Sequence, residues 1–138
     1  YSMAEQGGFE NVLPGMLLET NRGTSQLRLL NTDPAIELTV GSYSGPPMQR
    51  LYLGLPARDI MLSNSRPEGL SARNILPGKI LALRDLGCAE LVTVSLGPNA
   101  PQLTVEVTLA TVEQLGLEVD RQVFLVFKAT SCRLYGDH

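Results

Sequence analysis

Seven residues in the C-terminal half of this 138-residue chain have side chains or backbone groups that suit the binding of an anion. They are Ser71, Arg73, Asn74, Thr108, Thr111, Lys128 and Ala129. The set contains no carboxylate. Its hydroxyls and backbone N–H groups can donate to oxygen atoms, and its cations can add charge-assisted bonds. A small tetrahedral dianion needs several converging donors when it leaves water, so a shared pocket of these groups predicts an oxyanion site.

An internal repeat shows which of these positions are special to one half. The segment SARNILPG at residues 71–78 is matched by GFENVLPG at residues 8–15, 63 residues upstream. The match continues between residues 38–40 and 103–105, and between residues 51–57 and 123–129. We interpret the chain as a tandem duplication of a unit of about 65 residues. Shared positions should encode the fold, and differing positions should encode chemistry present in one copy.

The two copies differ most at their polar positions. The cations and the serine of the C-terminal copy are absent together from the N-terminal copy, which favours a shared site over independent roles. The N-terminal copy has Gly8, Glu10 and Pro56 where the C-terminal copy has Ser71, Arg73 and Lys128.

Structural roles remain open for single residues of the set. Thr111 also fits a plain helix cap, and Lys128 also fits a solvated charge that blunts a strand edge. Thr108 on the polar face of a strand fits simple strand propensity. Asn74 recurs as Asn11, which favours a structural role such as a turn or a cap.

Composition excludes several classes of function. The chain has 11 basic and 14 acidic residues and a net charge of -3, which argues against nonspecific nucleic-acid binding. The only histidine is His138, so catalysis or metal binding by histidine clusters is not expected. Cys88 and Cys132 form no C-x-x-C pair, so zinc is not expected, and we predict two buried structural thiols rather than a disulfide.

Motifs typical of enzymes are also absent from the sequence. Neither a phosphate-binding loop nor a nucleophile elbow is present, and the carboxylates are scattered. We therefore predict a chain without an active site, cofactor or protein-bound metal. No apolar run of about 18 residues and no signal-peptide pattern occurs, which predicts a soluble intracellular protein.

Strand patterns dominate the chain and predict an all-β fold. In the C-terminal copy, strands are predicted over residues 79–83, 90–96, 103–109 and 123–127. The N-terminal copy repeats them at residues 16–18, 26–30, 36–40, 51–55 and 59–62. One short helix is predicted from Thr111 to Gly116, with Thr111 as its cap. The N-terminal copy has a loop, residues 41–47, in its place.

These elements predict two small OB-like barrels in tandem, joined by the Pro-, Gly- and Ser-containing segment 63–69. The first barrel would span residues 8–66 and lack the anion motif. The second would span residues 67–138 and carry it. Units of this size are marginal alone, so we expect them to pack on each other or on a second chain.

The motifs of the C-terminal copy resemble those of the molybdate-binding Mop family. The resemblance is carried by S-A-R-N at residues 71–74, Pro-Gly at 77–78, T-x-x-T at 108–111, Q-L-G at 114–116 and Lys-Ala at 128–129. Residues 56–60 and 66–71 resemble in particular the C-terminal domain of the ATP-binding subunit of molybdate importers.

The resemblance implies OB-like modules that bind molybdate or tungstate at interfaces between barrels, often with a partner chain contributing. Ser71 and Arg73 match the start of the anion motif, Thr108 and Thr111 its hydroxyl pair, and Lys128 with Ala129 its Lys-Ala element. Asn74 belongs to the motif as well. Glu10, Gly8 and Pro56 depart from it, which puts a second full site in doubt.

By this resemblance, the chain is a cytoplasmic feedback-sensing domain of an importer ATPase, peripheral to the membrane and without insertion into it. Its partners would be the oxyanion, a second copy in a homodimer and, through the full-length subunit, the permease. Alternatives are a tandem storage protein for molybdate and an interaction module that binds no ligand. The choice among molybdate, tungstate and sulfate stays open, as do the number of sites and the chain boundary.

Overall fold

The protein is seen in a computed structural model that describes residues 2–4 and 8–136. Strands account for most of it, as the alternating sequence pattern predicts. They are β1 (Ser2–Ala4), β2 (Gly8–Asn21), β3 (Thr24–Leu29), β4 (Glu37–Gly41), β5 (Arg50–Pro56), β6 (Met61–Ser63), β7 (Asn74–Asp85), β8 (Glu90–Ser95), β9 (Gln102–Val107), β10 (Gln122–Phe127) and β11 (Arg133–Gly136). The helix α1 spans Leu109–Leu115, and two 3-10 turns span Ala57–Asp59 and Ala129–Ser131.

The strands form two curled antiparallel sheets. The first sheet has the order β11-β5-β2-β3-β4, with β1 also paired to β2, and the second has the order β6-β10-β7-β8-β9. The long strands β2 and β7 each contain a register shift, between Leu17 and Glu19 and between Ile80 and Ala82. Such bulges bend a strand and increase its twist, which lets each sheet curl.

The Pro-Gly pair of each copy lies inside a strand, whereas the sequence pattern predicts strands that begin only after it. Both β2 and β7 run through their pair and continue toward the N-terminus. At Gly78, an added Cβ would lie 2.8 Å from Cδ1 of Leu125 and 3.1 Å from the carbonyl oxygen of Ser95. The repeated glycine is therefore required by close packing inside the sheet.

The two sheets exchange their last strands. β6 follows β5 in sequence but pairs with β10 of the second sheet, and β11 follows β10 but pairs with β5 of the first. Each 3-10 turn carries the chain from one sheet to the other. The predicted boundary between residues 66 and 67 therefore does not separate the two sheets, because each sheet contains a strand from the other side of it. The division into two domains, residues 8–66 and 67–138, stays a prediction.

A reciprocal pair of asparagines also joins the sheets. The Asn11 side chain accepts the Thr104 N–H at 2.8 Å and donates to the Thr104 carbonyl at 2.9 Å. Asn74 makes the same two bonds with the backbone of Thr39, both at 2.8 Å. Asn11 and Asn74 are almost fully buried, so each saturates backbone groups that water does not reach. The repeated asparagine therefore has a structural role, as predicted, but it joins the two sheets and forms neither a turn nor a cap.

The helix α1 begins earlier than the sequence pattern predicts. Its N-cap is Thr108, whose Oγ1 accepts the N–H of Thr111 at 3.1 Å, so the prediction of Thr111 as the cap is wrong. The predicted strand 103–109 accordingly ends at Val107. Gly116 ends the helix in the left-handed conformation, as predicted. The cap follows the pattern T-x-x-T of residues 108–111 and not the pattern T-x-x-Q of residues 111–114. The reason is that Thr108 directly follows the last residue of β9 and precedes the first residue of α1.

A single apolar core contains buried residues from both sheets, including Leu53, Leu55, Val92, Leu125 and Phe127. The sheets therefore stabilise each other, as expected for units too small to bury a core alone. Within the described residues, no helix is long and apolar enough to cross a membrane.

Candidate functional site

Four of the predicted site residues lie together at one end of the second sheet. The ladder between β7 and β10 ends with the pair Asn74 and Phe127. Arg73 is the residue before this pair on one strand, and Lys128 is the residue after it on the other. Ser71 precedes Arg73 by two residues, and Ala129 opens the second 3-10 turn. We call Ser71, Arg73, Lys128 and Ala129 the cationic half-site.

The two cations of the cationic half-site have no carboxylate partner among residues 8–136 of the structure. Other cations of the chain do: Arg28 contacts Glu37 at 2.9 Å and Lys79 contacts Asp120 at 3.5 Å. Arg73 and Lys128 are both exposed. Two neighbouring positive charges repel one another unless an anion lies between them, so this end of the sheet favours an anionic ligand.

The second 3-10 turn adds backbone donors to the cationic half-site. Lys128 precedes the turn, and its carbonyl accepts the N–H of Ser131 at 3.1 Å. The first N–H groups of a helical turn have no partner within it, and in this turn they are the N–H groups of Ala129 and Thr130. The end of β4 lies against this turn, and an added Cβ at Gly41 would be 3.9 Å from the Ala129 carbonyl oxygen.

Thr108 and Thr111 lie together at the start of α1. Their hydroxyl oxygens are 2.9 Å apart, and they line a cavity of about 390 Å³. The other residues of this cavity are Arg58, Ile60, Met61, Leu62, Glu106 and Val107. We call Thr108 and Thr111 the hydroxyl half-site.

The structure does not bring the predicted residues into one pocket within a single chain. Among the residues that the structure describes, the cavity at Thr108 and Thr111 has no lining residue from the cationic half-site. The first 3-10 turn packs on β9, which leads to Thr108, whereas the second 3-10 turn packs on β4. The exchange of strands places each turn against the other copy, and so it separates the two half-sites.

Asn74 differs from the other predicted site residues because its side chain is already engaged. It is only 4% exposed, and both its oxygen and its nitrogen bond to the backbone of Thr39. Its position next to Arg73 fixes the backbone from which the guanidinium extends.

The N-terminal copy has converted the equivalent positions to internal contacts. Glu10, which replaces the arginine, lies 3.9 Å from the guanidinium of Arg133. Gly8, which replaces the serine, has φ of +78°, and an added Cβ there would lie 3.0 Å from Oε1 of Glu106. Carboxylates therefore lie at these positions, Glu10 itself and Glu106 beside Gly8, where the C-terminal copy has Arg73 and Ser71.

Arg58 is a potential site residue that the sequence pattern did not single out. It lies in the first 3-10 turn and lines the cavity of the hydroxyl half-site. Two signals were available in the sequence: Arg58 lies in the segment 56–60 that carries part of the family resemblance, and it follows Ala57 as Thr130 follows Ala129. The packing of that turn against the other copy is not visible in the sequence.

The two cysteines differ, which corrects half of the prediction of buried thiols. Cys132 is buried, and burial raises the pKa of its thiol from 9.0 to about 12. Its Sγ lies 3.7 Å from the Lys128 carbonyl oxygen. Cys88 is exposed, because it lies in the tight turn between β7 and β8. Both thiols are free.

Comparisons of sequence place the C-terminal half in a known class. The TOBE domain model matches residues 70–134. The molybdenum import ATP-binding protein ModC of Rhizobium meliloti is 40% identical over 86 residues, covering 62% of this chain and 24% of that protein. The ModC protein of Mesorhizobium japonicum is 34% identical over 114 residues, covering 75% of this chain and 30% of that protein. The chain thus spans about a quarter to a third of these relatives.

A short relative and a solved structure cover more of their own length. A probable molybdenum-pterin-binding protein of Haemophilus influenzae is 36% identical over 62 residues, which are 45% of this chain and 88% of that protein. The structure of the cytoplasmic molybdate-binding protein ModG with molybdate bound matches with a TM-score of 0.74 and 23% identity, covering 92% of this chain and 96% of that one. This likeness confirms the predicted fold class, an all-β fold of two tandem OB-like units with one short helix, which the structure shows as two curled sheets.

Proposed function

Because the chain belongs to the Mop family of TOBE-type modules, we propose that it binds a tetrahedral oxyanion, molybdate or tungstate. The observation that carries the proposal is the pair Arg73 and Lys128, which end adjacent strands without a described carboxylate partner. Ser71 and the N–H groups of the second 3-10 turn supply further donors beside them. A dianion there receives charge-assisted bonds from both cations, the strongest bonds this surface can offer.

A complete site needs the hydroxyl half-site as well, and a second copy of the chain would supply it. The apolar side chains next to the two half-sites support this arrangement. Leu70, beside Ser71, is 47% exposed, and Met61 and Leu109, beside the threonines, are 50% and 51% exposed. An interface that joined the cationic half-site of one copy to the hydroxyl half-site of another would bury these side chains and remove water from the anion.

In a full-length importer subunit, this site would act as a feedback sensor. The anion would bridge two copies and stabilise one arrangement of the dimer. A ligand shifts such an equilibrium only by its difference in affinity for the two arrangements, and a site shared between two chains provides that difference. The ModC relatives, of which the chain spans about a quarter to a third, support the importer context of this proposal.

Calorimetry with molybdate tests the ligand assignment. We expect the wild type to bind, and the double variant Arg73→Ala plus Lys128→Ala to lose on the order of a hundredfold or more in affinity, because it loses two charge-assisted contacts. The matched control is Lys79→Ala plus Arg84→Ala, which removes the same charge farther along β7 and should bind as the wild type does. A wild type that gives no binding heat contradicts the proposal.

Complementation between variants tests whether two chains share the site. Arg73→Ala plus Lys128→Ala damages one half, and Thr108→Ala plus Thr111→Ala damages the other. Each variant alone should bind molybdate more weakly than the wild type does. In a mixed dimer, one site combines the two intact halves, so mixing after dissociation should restore binding. If mixed dimers are present and the mixture still binds molybdate no more tightly than the separate variants, each site is built from one chain.

A further inference from the structure

Arg58 lines the same cavity as both threonines of the hydroxyl half-site. Its polar lining residues are Arg58, Glu106, Thr108 and Thr111, and its apolar ones are Ile60, Met61, Leu62 and Val107. Arg58 is exposed and makes no ion pair or side-chain hydrogen bond with another of the described residues 8–136. A guanidinium with five donors therefore faces a cavity that already holds two hydroxyls.

The hydroxyl half-site is poor in donors without Arg58. The two threonine oxygens are 2.9 Å apart, so one hydroxyl donates to the other. Thr108 Oγ1 also accepts the backbone N–H of Thr111. Since each hydroxyl has a single hydrogen, only one remains to donate outside the pair. Two threonines alone would bring one neutral hydrogen bond to a dianion.

We propose that Arg58 binds the oxyanion from the hydroxyl half-site and supplies the third cation of the complete site. This inference rests on the proposed function and adds a residue to it. The anion would meet Arg73 and Lys128 of one chain, and Arg58, Thr108 and Thr111 of the other. The side with the threonines then carries a charge of its own, and both chains gain from holding the same anion.

Glu106 lines the same cavity and acts in the opposite sense. Its Oε1 lies 3.0 Å from the position of a Cβ at Gly8, so this carboxylate is packed at the N-terminal copy. A carboxylate near a dianion weakens binding, and Arg58 is the cation of the cavity that offsets it. Removal of the Arg58 charge should therefore weaken binding of the anion, and removal of the Glu106 charge should strengthen it.

The first test measures molybdate affinity by calorimetry for Arg58→Gln, with Arg84→Gln on β7 as the matched control. We expect about a tenfold or greater loss for Arg58→Gln and no change for the control. Arg58→Lys keeps the positive charge but loses the forked donor geometry of the guanidinium, so its affinity should lie between those of Arg58→Gln and the control. Glu106→Gln should bind more tightly than the wild type. Thermal unfolding of each variant establishes that it is folded.

The second test asks which half of the site contains Arg58. Arg58→Gln mixed with Arg73→Ala plus Lys128→Ala should recover one site of wild-type affinity per mixed dimer, because the damaged halves differ. Arg58→Gln mixed with Thr108→Ala plus Thr111→Ala should recover none, because the damaged halves coincide.

The outcomes separate this inference from the proposed function. If the wild type binds molybdate and Arg58→Gln binds equally well, Arg58 is not a ligand and the inference alone fails. Weak binding by Arg58→Gln that is not recovered in the first mixture also overturns it. If the wild type does not bind, the proposed function fails and this inference fails with it.

Discussion

At the residue scale, identical and differing positions of the repeat have different tasks. Asn11 and Asn74 are identical and make equivalent bonds across the two sheets. Arg73 and Glu10 differ in the sign of their own charge, so the cation near each has an opposite effect: Lys128 repels Arg73, whereas Arg133 attracts Glu10. The sequence therefore predicts which positions serve the fold. It does not predict that the Asn74 side chain forms hydrogen bonds with the backbone of Thr39, because that contact joins residues far apart in the chain.

Cys132 allows a prediction at this scale from its raised pKa. The folded state keeps the thiol neutral up to about pH 12, whereas the unfolded state loses the proton near 9.0. Stability from the neutral thiol is thus complete below pH 9 and is lost as the pH rises toward 12, by up to about 1.4 kcal/mol per unit. Chemical unfolding between pH 8 and 11 should show a steeper loss for the wild type than for Cys132→Ala.

Cys88→Ala serves as the control for that measurement, because its thiol is exposed and free. It should follow the wild type across the same pH range. Equal slopes for the wild type and Cys132→Ala would contradict the buried, neutral thiol.

At the scale of elements, local patterns predict that most of the strands and the short helix form. They do not predict where the two longest strands and the helix begin. Alternation predicts β8, and a continuous apolar run predicts β10, each to within a residue of its observed limits. β2 and β7 are much longer than predicted, since Pro14-Gly15 and Pro77-Gly78 lie inside them. Pro-Gly is a turn signal locally, but here a glycine is needed because a neighbouring strand and its side chains approach closely.

Gly78→Ala tests this interpretation of β7. The added methyl group would meet Leu125 and the Ser95 carbonyl oxygen, which is backbone and cannot move aside easily. We expect a loss of about 1–3 kcal/mol in the free energy of unfolding, measured with urea. Gly41→Ala is the matched control, since its nearest neighbour would be 3.9 Å away. If both variants are equally stable, the glycine is not required by packing.

At the scale of the whole molecule, the exchange of β6 and β11 makes the two copies depend on each other. Each sheet has one edge strand that comes from the other copy, and residues of both copies form one apolar core. The same exchange places the two 3-10 turns against different strands, and the cavity of the hydroxyl half-site has no lining residue from the cationic half-site. It is therefore the reason that the proposed site needs a second copy.

A fragment of residues 67–138 tests this dependence. It has β11 but no first sheet for that strand to join, and it lacks β6. We expect it to be unfolded as a monomer and to fold only by association, either with residues 1–66 or with further copies that accept β11. Circular dichroism with light scattering follows folding and size together. A folded, monomeric fragment would show that the copies are independent domains.

The sequence by itself determined the duplication, the all-β class, the short helix and the residue types of the proposed oxyanion site, because each rests on local patterns or on residue type. Only the tertiary structure decided that the two sheets exchange strands, that Thr108 and Thr111 lie apart from Arg73 and Lys128, and that Arg58 lies beside the threonines. These facts depend on which distant strands pair and on how the 3-10 turns cross between sheets. A repeat of two nearly equivalent copies offers both pairings locally, and only the packing of the common core selects one.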